Sequence, residues 1–119
     1  MKKKIILFLL CSLLLTGCSN RGVDLSANAR KIGETILSTT DSFLNGVTSA
    51  STAANLIGEH CNQLNSESIP EQNSDSLLKS ACEVLSYTLI EYANAENPNL
   101  EDVINARNKV ASLMGEKDR

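Results

Sequence analysis

Tryptophan is missing from this chain altogether, and phenylalanine and tyrosine occur only twice each. Any core is therefore aliphatic and modest, without the large area that aromatic side chains bring. Histidine occurs once, at His60, and there is no CxxC pair, so the usual ligand spacings for zinc are absent. No glycine-rich phosphate loop and no nucleophile elbow is present either. His60 adjoins Cys61, which on a helix turns it about 100 degrees away and denies it the reach of a Cys–His nucleophile. Glu34, Glu59, Glu83 and Glu91 fall on polar helix faces, where a solvated surface accounts for them. The sequence reads as that of a binding protein, with no catalytic residue, no metal site and no dissociable cofactor.

What is present begins with Lys2, Lys3 and Lys4, followed by an apolar run from Ile5 to Leu15. This is the charged start and short apolar stretch of an export signal. It is too short to span a bilayer, which takes about 20 apolar residues, and no basic stop-transfer flank follows it. Leu15-Thr16-Gly17-Cys18 matches the lipobox of bacterial lipoproteins, in which the cysteine thiol receives a diacylglyceryl group and the signal is cut off ahead of it. Residues 1–17 are read as the cleaved signal peptide, 18–23 as a lipidated tether, 24–115 as the folded domain and 116–119 as a C-terminal tail. Each buried methylene of the acyl chains contributes about 0.8 kcal/mol, so two or three chains make a lasting membrane anchor. Ser19, standing where an aspartate would resemble an inner-membrane retention signal, directs the reading to the periplasmic face of the outer membrane. In a Gram-positive cell the same lipobox would hold the domain outside the plasma membrane.

Loss of the three signal lysines leaves eight basic residues against fourteen acidic ones, a formal charge of −6. The remaining basic residues are scattered except for Arg30-Lys31, which argues against nucleic acid as a partner. About one hundred mature residues suit one domain.

No run of alternating polar and apolar residues appears, whereas spacings of three and four recur. Leu25, Ala29, Ile32, Ile36, Phe43 and Val47 outline a first helix ending near Leu44, with Thr39 or Thr40 filling the gap and Asn45-Gly46 as the stop. A second helix starts at Thr48 or Ser49 and carries Ala50, Ala54, Ile57, Cys61 and Leu64 on one face. Residues 65–75 form the longest loop, around Ile69-Pro70. A third helix opens near Asp75 or Ser76 and shows Leu78, Cys82, Leu85, Leu89 and Tyr92, with Leu77, Ala81 and Val84 broadening the apolar arc. The fourth is capped by Asn99, places Val103, Arg107, Val110 and Met114 along one side, and ends at Gly115. The fold class is all-α, a small antiparallel four-helix bundle.

Folding helices two and three as a hairpin brings Cys61 and Cys82 roughly level. In an oxidising compartment a disulfide is the natural expectation, worth roughly 3 kcal/mol for a loop of about twenty residues. Two unpaired thiols or a metal site are the alternatives. Cys11 leaves with the signal.

The lipobox, the four short helices and the stretch Ala53-Ala54-Asn55-Leu56-Ile57-Gly58-Glu59-His60-Cys61-Asn62, followed by Ile69-Pro70-Glu71, resemble the PulS/OutS family of type II secretion pilotins. The resemblance covers mainly residues 50 to 90, with Cys61, Pro70 and Cys82 matching the family's stapled hairpin. It implies a protein that binds the C-terminal tail of the secretin subunit, travels with it on the lipoprotein sorting machinery and delivers it to the outer membrane. The other class of function open to such a chain is a general envelope lipoprotein acting by protein–protein interaction or exclusion at the membrane surface. For a peptide groove the residues flanking the main core stripes are the candidates: Leu37, Leu44, Leu77, Val84 and Tyr87. Substituting Cys18→Ser is expected to leave the domain folded and to move it from the membrane to the soluble fraction, as cell fractionation with circular dichroism would read; a variant still held on the membrane would contradict the lipobox.

Overall fold

The computed structural model describes residues 23–64 and 73–119, and the signal segment, Cys18 and the Ile69-Pro70 turn lie outside them. The described residues form four helices and no strand: α1 (Ala27–Leu44), α2 (Ala50–Gln63), α3 (Asn73–Asn94) and α4 (Leu100–Met114).

The starts of α1, α2 and α4 and the ends of α1 and α4 have local causes. Ser26 caps α1 by accepting the Ala29 amide at 3.1 Å, and Ser49 caps α2 by accepting the Thr52 amide at the same distance. Asn99 Oδ1 accepts the Glu101 amide at 3.0 Å, while Glu101 and Asp102 add negative charge where the α4 dipole favours it. Gly46 at φ 80° and Gly115 at φ 73° supply the left-handed turns that follow α1 and α4. Thr40 fills the gap in the α1 stripe, fully buried, its hydroxyl donating to the Ile36 carbonyl at 2.9 Å.

Three sequence expectations are corrected. Leu25 lies outside α1, although it still packs against the core. Val47 lies past the Asn45-Gly46 stop and is 79 % exposed, so it belongs to no helical stripe. The third helix begins at Asn73, because Asp75 does not cap it: this carboxylate is buried and accepts the Ser26 amide at 3.0 Å, joining the starts of α1 and α3.

Helices α2 and α3 run antiparallel, as do α1 and α4, whereas α1 and α3, which meet start to start and end to end, run parallel. Ser86 Oγ donates to the Ala54 carbonyl at 3.0 Å across α2–α3, and the Arg30 side chain donates to the Met114 carbonyl at 3.1 Å across α1–α4. Phe43 and Tyr92, near the ends of α1 and α3, meet edge to face with centroids 5.3 Å apart. Helix α1 packs on α2, on α4 and also on α3, whereas α2 and α4 do not meet among the described residues. Close approach at the first end depends on Gly33, where a β-carbon would overlap the Met114 sulfur. The core is Ile36, Ile57, Leu78, Leu85, Leu89, Val103, Val110 and Met114, with alanines where helices draw near.

Besides Asp75, a cation is built into this core. Arg107 is buried on the α4 stripe, and its Nε and Nη2 donate to the two carboxylate oxygens of Asp41 at 3.1 and 3.3 Å. Its remaining donors reach Asn108 Oδ1 and the Lys117 carbonyl, and Arg119 adds a second cation to Asp41 at 3.3 Å. The tail after α4 is thereby folded back over the end of α1. Removing one partner of such a pair strands the other charge. Asp41→Ala is expected to cost about 2–3 kcal/mol in urea unfolding, below the roughly 3–5 kcal/mol of a fully buried pair because Asp41 is partly solvated; a loss below about 0.5 kcal/mol would show that the pair contributes no more than a surface ion pair.

Candidate functional site

Two helix seams carry open clefts that the core does not fill. Between α3 and α4 lies an apolar groove of about 480 Å³, walled by Leu77, Ser80, Ala81 and Val84 on one side and Ala106, Lys109 and Leu113 on the other. Leu77 is 53 % and Val84 58 % exposed. They stand seven residues apart, hence on the same side of α3, and Ala106 and Leu113 repeat that spacing on α4. Small residues at 80, 81 and 106 leave the space that the larger ones frame. The single charged residue on the walls is Lys109, which is exposed.

The second cleft, also about 480 Å³, lies between α2 and α3 and is walled by Gly58, Cys61, Asn62, Lys79, Glu83, Ser86, Tyr87 and Ile90. It is more polar, and it adjoins the cysteine pair. Cys61 and Cys82 are both buried and both free thiols. The anticipated disulfide is thus absent from this structure: Cys61 and Cys82 face each other across α2 and α3 as the hairpin requires, but both are buried free thiols that act on each other's ionisation. The hydrogen bond from Cys82 draws the Cys61 thiol below its ordinary pKa against the opposing effect of burial. Cys82 is pushed far up, by the same hydrogen bond and by its own burial.

The five residues proposed from sequence for a groove do not come together. Leu77 and Val84 line the α3–α4 groove. Tyr87, 63 % exposed, stands on the other cleft. Leu37 is buried in the core, and its visible edge belongs to a polar recess beside Asp41 and Arg107. Leu44 is half-buried and packed on the core. The α4 wall was missed because Ala106, Lys109 and Leu113 sit next to the Val103–Val110 stripe; only their own spacing of three and four set them apart. No cluster of three or more His, Cys, Asp or Glu side chains suited to a metal ion exists among the described residues, and no described helix is long and apolar enough to cross a membrane.

Comparison with protein-family models, with curated proteins and with solved structures finds no match to this chain.

Proposed function

We propose that this chain is a lipid-anchored targeting protein of a type II secretion system, a pilotin, which binds the C-terminal tail of the secretin subunit and directs it to the outer membrane for assembly. The observation that carries this reading is the α3–α4 groove, where two large aliphatic side chains remain more than half exposed in a domain short of apolar residues. An apolar trough between two antiparallel helices suits an amphipathic segment that folds on binding, with anchors spaced by three and four residues. Lys109, exposed on the groove wall, favours an acidic residue on that segment's polar side.

The anchor and the groove share one end of the bundle. The Val23 amide donates to the Leu113 carbonyl at 3.0 Å, pinning the end of the tether beside the groove wall. Cys18 precedes Val23 by five residues, a span of at most about 18 Å. A lipid on Cys18 therefore keeps the Leu77–Leu113 end of the groove close to the membrane, where a partner destined for that membrane arrives. In this reading the lipoprotein sorting machinery carries the complex to the periplasmic face of the outer membrane. In that oxidising setting the facing thiols of Cys61 and Cys82 close to a disulfide, which holds α2 against α3 without touching the groove.

The test is a titration of the soluble mature domain with a fluorescent peptide from the C-terminus of the host's secretin, following anisotropy and helicity together. Saturable binding with a gain in helicity is expected, and Val84→Asp is expected to abolish it while shifting the melting temperature little, since Val84 is mostly exposed. No binding at high micromolar peptide would leave the envelope interaction or exclusion lipoprotein as the reading; full binding by folded Val84→Asp would displace the groove.

A further inference from the structure

The two cysteines are chemically unequal. Cys61 forms part of the wall of the α2–α3 cleft, together with Gly58, Lys79 and Tyr87. Cys82 is fully buried, and none of the clefts described above is lined by it. A reagent that enters from solvent through this cleft meets Cys61 first. Of the two charges on the wall, Glu83 opposes a negative sulfur there and Lys79 favours it more weakly, so access, more than local charge, singles out Cys61. The hydrogen bond from Cys82 works in the same direction, holding Cys61 as the readier thiolate.

We propose that Cys61 is the thiol through which this pair is oxidised, and that Cys82 acts only as the resolving thiol, the oxidant being a disulfide-bearing molecule admitted by the α2–α3 cleft. The proposal rests on the reading that the pair closes to a disulfide, and it is independent of the groove's occupant. The Cys61 thiolate attacks one sulfur of the oxidant; the oxidant's S–S bond breaks, a mixed disulfide forms on Cys61 and the other half leaves as a thiolate. That thiolate takes the Cys82 proton. Cys82 then attacks the Cys61 sulfur, forming the internal disulfide and releasing the second half as a thiolate that solvent protonates. Two electrons pass from the pair to the oxidant, which leaves as two thiols.

The experiment treats the full mature chain, purified and reduced, with oxidised glutathione, quenches with acid and maps adducts by mass spectrometry. Cys82→Ala is expected to accumulate one glutathione adduct, at Cys61. Cys61→Ala is expected to be modified at Cys82 at least about tenfold more slowly, because Cys82 is fully buried and lines none of the clefts through which the reagent enters. Equal or faster modification of Cys61→Ala would overturn the order. A second variant keeps both thiols: a β-carbon at Gly58, on the cleft wall, meets only Ser86 Oγ, at an ordinary 3.5 Å, so a side chain can begin there and extend toward the cleft. Gly58→Leu is expected to slow formation of the internal disulfide several-fold with helicity unchanged, and an unaltered rate in that folded variant would also overturn the proposal. A wild-type chain that stays reduced while Cys82→Ala traps the adduct would remove the disulfide itself and with it the resolving step. Secretin-peptide binding by the reduced chain is independent of all these outcomes, so failure here and failure of the pilotin reading remain distinguishable.

Discussion

Scarcity of apolar volume governs this domain. With no tryptophan and one phenylalanine beyond the signal, four helices have to be held together by leucine, isoleucine, valine and methionine supplemented by alanine. A domain of about one hundred residues buries only about two-thirds of its unfolded surface, so each aliphatic side chain withheld from the core forgoes about 1.5–3 kcal/mol. The bundle compensates by bringing helices close. Alanines at 29, 50, 53, 54, 81 and 111 and the bare backbone of Gly33 let neighbouring helices approach until short side chains suffice. Arg107 occupies a core position that an aliphatic residue could fill, and each of its three guanidinium nitrogens finds an acceptor there, on Asp41, Asn108 or the Lys117 carbonyl.

Against that background the exposure of Leu77 and Val84 gains its meaning. Scattered surface leucines are ordinary on any protein. Here two such residues lie on one line of α3, face a matching line on α4 and leave small residues between them. The arrangement forms a trough, which a single exposed side chain does not. The segment before α1 ends beside it, held by the Val23–Leu113 hydrogen bond.

The helices themselves were legible because the 3.6-residue period of their buried faces survives intact in Ile32–Ile36–Thr40 and in Leu78–Cys82–Leu85–Leu89. Caps at Ser49 and Asn99 were legible for the same local reason, a side-chain oxygen next to orphan amides. The start of α3 was not, since Asp75 spends its carboxylate on Ser26, forty-nine residues away, and no local pattern encodes that partner. Leu37 is a groove candidate in sequence because it flanks the main α1 stripe, but α1 packs on all three other helices and Leu37 is absorbed by the core. In α3 the broad apolar arc did signal exposed surface, but it could not tell Leu77 and Val84, turned toward α4, from Tyr87, turned toward the α2 side. The pairing of Cys61 with Cys82 was legible as proximity; whether the pair is thiol or disulfide depends on the oxidant, which sequence does not encode.

The central claim is that the α3–α4 trough is the working surface. Methyl-group NMR on the reduced mature domain, recorded with and without the secretin C-terminal peptide, tests it most directly. The account expects shifts concentrated at Leu77, Val84, Ala106 and Leu113, with Leu37 and Leu44 nearly still. Shifts centred on Leu37 and Leu44, or spread evenly through the core, would contradict it.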